Sequence, residues 1–291
     1  MSSSIGVCIR CCANLRLIDS HIISEFMRNS FFGSVPNKAE SVRMPHHRSQ
    51  VVHATGLMRV IKKSGAQSLP TQPLMCANCD RSLGDSIESP VSKRIAAAGL
   101  AKYPDRIYDP AGVLSHCPQS PSVFCEQLAE AGPAYTYYEY ESLPGDVALF
   151  VRLCCWRAMH AMARDGHPQV TAFLASATGQ KANTEAKLLW DGQVDIHDST
   201  DDIMVFIVPL PLVADTVGAP TGVLPFGWYW VADNVDPSLF GVVLWCAHWV
   251  AIWRPAAMAG IGPMTMMTFT QSALAESRSR LKARVAKIGQ F

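Results

Sequence analysis

Apolar residues return every three or four positions from Val147 to Arg164, where Leu149, Leu153, Trp156, His160 and Ala163 fall on one side of a helix. Asp146 stands just ahead of that run as an N-cap. Shorter helical patterns run from Asp80 to Ile87 and, after the break at Ser89-Pro90, from Val91 to Lys102. Another covers Ser122 to Ala131 before a stop at Gly132-Pro133, and a further one covers Thr184 to Trp190 before Asp191-Gly192. The stretch from about residue 105 to 192 therefore reads as mostly helical. Beyond Asp195 the pattern changes to β-branched and aromatic runs at Ile203–Val208, Gly227–Val231 and Phe240–Ile252, separated by Pro, Gly and Asp as strands are. A basic helix closes the chain from Gln271 to Ile288. The pattern predicts an α+β protein with a helical middle, a C-terminal antiparallel β region and a terminal helix.

The most membrane-like stretch, Leu239 to Trp253, has fifteen residues, carries His248 and stops at Arg254-Pro255. That is short of the roughly twenty needed to cross a bilayer, so a buried strand or core helix is expected and no membrane partner. With 49% hydrophobic and 17% charged residues, the 291-residue chain is rich enough in apolar side chains to bury a sizeable core. The net charge of +1 hides an asymmetry. Residues 1–103 hold thirteen Lys and Arg against six Asp and Glu, while the remainder holds twelve against eighteen. A basic module, 1–103, joined to a neutral-to-acidic body, 104–291, is the expected organisation.

Chemistry concentrates in the basic part. Two Cys-x-x-Cys pairs, Cys8-Ile-Arg-Cys11 and Cys76-Ala-Asn-Cys79, stand on either side of a long polar loop. A pair spaced by two residues fits a turn that aims both sulfurs at one ion, and two such pairs supply the four soft ligands of a closed tetrahedral zinc site. Cys8, Cys11, Cys76 and Cys79 are therefore expected to hold structural zinc, with Cys12 as a neighbouring thiol. The remaining cysteines (Cys117, Cys125, Cys154, Cys155 and Cys246) show no pairing pattern and read as buried or inert. Ten cysteines used in this way, behind a Met1-Ser-Ser-Ser start that lacks a basic-then-apolar signal, point to a cytoplasmic protein.

The loop between the knuckles carries seven Lys and Arg and a single acid from Phe26 to Met75. Arg43, Arg48, Arg59, Lys62 and Lys63 are the candidate phosphate contacts, with His46-His47 as a further contact or a solvated turn. The run from Leu57 to Lys63 suits a short strand or hairpin arm with a basic edge. His160 and His248, each inside an apolar run, read as core histidines. Trp228, Trp230, Trp245, Trp249 and Trp253 read as sheet core.

The segment Ser20-His21-Ile22-Ile23-Ser24-Glu25-Phe26, taken with Leu74-Met75-Cys76-Ala77-Asn78-Cys79-Asp80, resembles the HNH (ββα-metal, treble-clef) endonuclease group. It is closest to bacterial HNH-like proteins with a Ser-His-Ile-Ile-Pro-x-Phe segment, a later Leu-Leu-Cys-x-x-Cys-Glu and an apolar helix ending in Trp-Arg. Here that helix ends in Trp156-Arg157. The resemblance covers about residues 8–80. It implies a zinc-stabilised treble clef, DNA or RNA as the partner, His21 as the general base of phosphodiester hydrolysis, and Mg or Mn as a second, catalytic ion. It implies Asp80 as an oxygen ligand for that ion. The sequence departs from the pattern in four places: Ser20 stands where the group has a metal-binding Asp, Ser24 where it has Pro, Asp80 where it has a final His or Asn, and only Gln67 and Gln72 offer amides where it has a middle Asn. Without the catalytic ion, the same residues describe an inactive zinc-knuckle module that binds nucleic acid or protein, with His21 satisfied inside a stiffened turn. The C-terminal body is then the surface for any protein partner.

Overall fold

The computed structural model describes residues 4–24, 50–53, 56–59, 71–97, 122–127, 134–140, 144–199, 201–207, 226–232, 240–246, 249–255 and 265–269. It is a mixed α+β structure with a cysteine cluster at its N-terminal end. Strands β1 (Ser4–Val7), β2 (Asn14–His21) and β5 (Thr71–Cys76) form an antiparallel sheet in the order β1-β2-β5. Strands β3 (Gln50–His53) and β4 (Gly56–Arg59) pair antiparallel as a separate two-stranded unit, so the run from Leu57 does begin in a hairpin arm. The chain leaves β5 directly into helix α1 (Ala77–Leu83). It then passes through a wider π-type turn (Gly84–Glu88) into α2 (Ser89–Ala97). Ser89-Pro90 therefore starts α2 instead of separating two helices. The helical path is continuous here, with the Ser89 N–H on the Gly84 carbonyl, and the wider turn is where it accommodates a proline that has no N–H to donate.

Helix α3 (Gly145–Arg164) is the axis of the molecule, and fourteen of its twenty residues are buried. A helix buried nearly all round must be covered on several sides. The N-terminal sheet and its helices lie on one side of α3; α4 (Pro168–Ala175) and α5 (Ala177–Trp190) lie on another. Strands of the large sheet cover a third. The helix is entered two residues earlier than expected, with Pro144 at the N-cap, and Asp146 accepts the Val147 N–H from within the first turn.

The large sheet has seven strands in the order β6-β7-β12-β8-β11-β10-β9. They are β6 (Ser122–Gln127), β7 (Ala134–Tyr140), β8 (Asp202–Ile207), β9 (Phe226–Ala232), β10 (Phe240–Cys246), β11 (Trp249–Arg254) and β12 (Thr265–Phe269). Every neighbouring pair is antiparallel except β12 and β8, which run parallel. Two expectations are corrected here. Ser122–Ala131 is not a helix: its first six residues form β6 and pair with β7 across the Gly132-Pro133 turn signal. The competing signal was the β-forming content of Val123 and Phe124 and of the Tyr-rich stretch that follows. Phe240–Ile252 is not one element either. It is the β10–β11 hairpin, registered from Val242 opposite Trp253 to Cys246 opposite Trp249. That accounts for an apolar run too short for a membrane helix, and no helix among the described residues is long and apolar enough to cross one. The predicted terminal helix and a boundary near residue 103 lie outside the described residues.

Two buried contacts lock the large sheet to the helices. Phe173 of α4 stacks on Phe240 of β10 with ring centroids 4.2 Å apart. Arg152 of α3 donates to Asp201 at 2.7 Å and to the Ala182 carbonyl at 2.7 Å, while its guanidinium lies 4.3 Å from the centroid of the Trp253 ring. The Trp253 indole N–H donates to the same Asp201 carboxylate at 2.7 Å. Removing one member of such a buried pair leaves its partner charged without compensation. Asp201→Ala should destabilise the fold by about 3–5 kcal/mol, measured by urea unfolding.

His160 is a core histidine, as its apolar surroundings suggested. Its ring nitrogen is 2.9 Å from the Asn183 side-chain oxygen, and burial pushes its pKa down to about 4. A histidine kept neutral by folding contributes stability above its unfolded pKa of about 6.5, and loses it as pH falls toward the folded value. The unfolding free energy of the wild type should therefore decline between about pH 6.5 and pH 4 more steeply than that of His160→Gln. Equal slopes in pH-dependent denaturation would remove this group from the acid response.

Candidate metal centre

The turn after β1 is built to present sulfur. The Cys8 N–H donates to the Ala13 carbonyl at 3.0 Å, and the Cys12 N–H donates to the Cys8 carbonyl at 3.0 Å. The turn closes with Cys12 in the left-handed region, φ 59°, a position glycine fills without strain. The Ile9 N–H reaches the Leu74 carbonyl at 3.1 Å, which fastens this turn to β5. Cys76 ends β5 and Cys79 lies in the first turn of α1. All four sulfurs then lie within 4.8 Å of one another, so the two Cys-x-x-Cys pairs meet and could hold a metal ion. Cys8, Cys76 and Cys79 are buried, and Cys11 is exposed at the rim.

The electrostatics divide the four thiols: Cys8 is eased toward the thiolate, while Cys11 and Cys79 are held as thiols in the absence of a cation. Burial alone would raise the Cys8 thiol, but backbone N–H groups of Cys76, Cys11 and Arg10 outweigh it and bring it down to about 7. The Cys76 N–H is 3.5 Å from the Cys8 sulfur. Cys79 is pushed up to about 12, by burial first and then by the Cys76 thiol and the nearby Cys8. The Arg10 guanidinium, 3.9 Å from the Cys79 sulfur, opposes that rise. Cys11 also lies above its ordinary value: the Ala13 N–H pulls it down, but burial and the Cys8 sulfur prevail. These groups ionise together when a cation sits among them.

His21 ends β2 opposite Thr71, and its side chain is partly buried. Its backbone carbonyl accepts from Arg157 at 2.7 Å. The residues after it, Ile22, Ile23 and Ser24, are fully buried, and the Ser24 hydroxyl donates to Glu88. Arg157 also pairs with Glu88 at 3.0 Å and donates to the Cys154 sulfur at 3.2 Å. Burial works against its charge, but Cys154, Glu88 and Asp80 together keep the guanidinium more firmly protonated than usual. Asp80 is partly buried in α1, in the first helical turn that also holds Cys79.

Ser20 is 1% exposed, and its hydroxyl has no partner among the described residues. Its cross-strand neighbour Gln72 is also buried and donates at 2.9 Å to Asp165, the C-cap of α3. Among the described residues, the four cysteines are the only cluster of three or more His, Cys, Asp or Glu placed to hold an ion. Arg59 ends β4, while its side chain and Arg43, Arg48, Lys62 and Lys63 lie outside the described residues, as do His46, His47, Glu25 and Phe26. Cys154 and Cys155 are buried thiols with raised pKa values, as their apolar setting implied. Trp230 and Trp253 are buried.

Arg157 is the residue whose weight the sequence did not announce. Its only signal was its place at the end of the Trp-Arg motif. Comparison with protein-family models, curated proteins and solved structures gives no match, so the HNH-like reading rests on the motif residues and their placement.

A thiol must lose its proton to bind a metal, so apparent affinity rises with pH until each ligand is already ionised. The Cys79 thiol, near 12, keeps this dependence alive throughout the neutral range, whereas the Cys8 contribution fades above about 7. Affinity for a thiophilic dication should rise at least about tenfold per pH unit between pH 6 and 8, read by competition with a chromophoric chelator. Cys79→Ser should lose the ion. A pH-independent affinity would exclude the four-thiolate site.

Proposed function

We propose that the protein is a zinc-stabilised, HNH-like module of treble-clef type that binds nucleic acid. The observation that carries this reading is the meeting of four sulfurs on the sheet whose middle strand ends in Ser20-His21. Zinc suits the donor set. Bonds of about 2.3 Å in a tetrahedron place sulfurs about 3.8 Å apart, within the observed spread, and four thiolates leave no open position. The zinc would then supply folding energy and no chemistry. The basic loop between the knuckles supports a polyanionic partner. If Arg43, Arg48, Arg59, Lys62 and Lys63 all neutralise phosphates, binding should fall with a log–log salt slope of about −4.5.

A second reading, hydrolysis of the bound phosphodiester, draws on Arg157. One guanidinium holds the His21 carbonyl and carries the influence of Asp80. Arg157 thus holds the backbone of the His21 segment and lies within electrostatic reach of Asp80. In this reading the neutral His21 imidazole takes a proton from water, and Asp80 contributes an oxygen to a hard dication that offsets phosphate charge. Ser20 does not fit as a ligand, being buried and a weak donor to such an ion.

The test is a panel of single- and double-stranded DNA and RNA, assayed for binding across salt and for cleavage with Mg²⁺ and Mn²⁺. The module reading expects salt-sensitive binding and no cutting; salt-independent or absent binding ends it. Cutting that disappears in His21→Ala, with zinc content unchanged, would establish the second reading instead.

A further inference from the structure

We infer that Arg10 couples occupancy of the four-cysteine site to the docking of the last turn of α5 against the knuckle. This rests on the metal reading above and deepens it into a route by which the ion controls the helical body. Arg10 lies inside the first Cys-x-x-Cys turn, between Cys8 and Cys11, so its backbone moves with two of the sulfurs. Its guanidinium is engaged on three sides. One nitrogen is 3.9 Å from the Cys79 sulfur, another pairs with Asp191, and the carbon lies 4.5 Å from the centroid of the Trp190 ring.

Trp190 is the last residue of α5 and Asp191 is its C-cap. A cation at a helix C-terminus also meets the negative end of the helix dipole. The turn touches α5 at a second place, where the Lys187 ammonium is 3.0 Å from the Cys12 sulfur. An exposed Arg–Asp pair alone contributes little, and the Arg10 and Asp191 side chains are 26% and 39% exposed. Ion pair, cation–π contact and sulfur contact share one guanidinium, so they depend jointly on where the turn sits.

A shared ion adds four bonds to the contacts that already join turn 8–11 to β5, the Ile9–Leu74 hydrogen bond and the Cys76 N–H on the Cys8 sulfur. Without it that hold is weaker, and Arg10 shifts away from Trp190 and Asp191 with its own turn. The effect reaches the core through Trp190. Its ring meets Trp156 of α3 edge-on with centroids 6.1 Å apart, and the Trp156 indole N–H donates to Asn183 of α5 at 2.8 Å.

The experiment is hydrogen exchange read by mass spectrometry on the full chain loaded with Zn²⁺, on the same protein stripped by chelator under reducing conditions, and on zinc-loaded Arg10→Leu. Stripping should speed exchange across residues 187–191 by about tenfold or more while residues 150–160 of α3 keep their protection. Arg10→Leu should retain zinc yet exchange fast in that turn. Should this variant lose the ion, Asp191→Ala, which removes Arg10's partner without touching a cysteine, must give the same fast exchange with zinc bound. An unchanged α5 turn in stripped protein overturns the inference, as does full protection in a zinc-loaded variant. Loss of protection throughout α3 also overturns it, because the fold would then have failed as a whole. If the wild-type chain binds no zinc in the stoichiometry measured first, the metal reading fails and takes this inference with it.

Discussion

Four sulfur atoms lie within 4.8 Å of one another, three of them on buried residues, and that meeting of two distant turns could be held by a metal ion. The two turns that bring them come from positions more than sixty residues apart, and between Ser24 and Thr71 the described backbone consists of one short hairpin. Closing so long a segment carries an entropic cost, and a bound ion is the efficient way to offset it. Much else follows from that closure. The last residue of β5 carries one of the four sulfurs, so the register that sets Leu17 opposite Cys76 fixes its place in the cluster. Helix α1 begins at the next residue, and Cys79 reaches the same point from its first turn.

The second dependency is α3, which joins the cysteine-bearing sheet to the large one through two buried arginines a turn and a half apart. Arg157 reaches the end of β2 and the π-turn; Arg152 reaches Asp201, Ala182 and Trp253. Burying two guanidinium groups in one helix is expensive, and replacing such pairs with apolar side chains often stabilises a protein. Directional partners on opposite sides give something a greasy helix would not. They fix the rotation and height of α3 against both sheets, so the residues of the His21 segment take one position relative to the body. Ser24, Glu88 and Cys154 share in that fixation through Arg157.

Local signals were legible where a local rule decides the outcome. The paired spacing of the cysteines, the long amphipathic run of α3 and the β-branched stretches around Ile203 and Gly227 each carry their own instruction. The failures share a cause. Ser122–Gln127 has a face that suits either period, and pairing with β7 decided it. The run from Phe240 is apolar apart from His248 and has no Gly, Pro, Asn or Asp near its middle, so no turn signal marks the hairpin that places Cys246 opposite Trp249. Arg157 could be read as the end of a motif, but its partner is a carbonyl 136 positions earlier in the chain. Contacts at that separation depend on how elements stack, and spacing rules do not reach them. Ser20 shows the same gap: its identity was visible, and its burial opposite Gln72 was not.

That burial bears on how nucleic acid could approach the His21 segment. Ser20 and Gln72 face each other across β2 and β5, on a side of the sheet that Asp165 at the end of α3 already occupies. His21 is the next residue along the strand, so its side chain points to the other side, where it is partly exposed. A phosphate that met the imidazole would have to come from that face. On the Ser20 face the C-terminal end of α3 is in contact with the sheet through Asp165 and Gln72. The body thus does more than follow the cysteine module in sequence: the end of α3 packs against one side of the module's sheet. Under the proposed reading, this arrangement keeps the fold of the cysteine module without the ligands that cutting needs. A small, buried Ser at position 20 suits packing beside the end of α3 and not coordination.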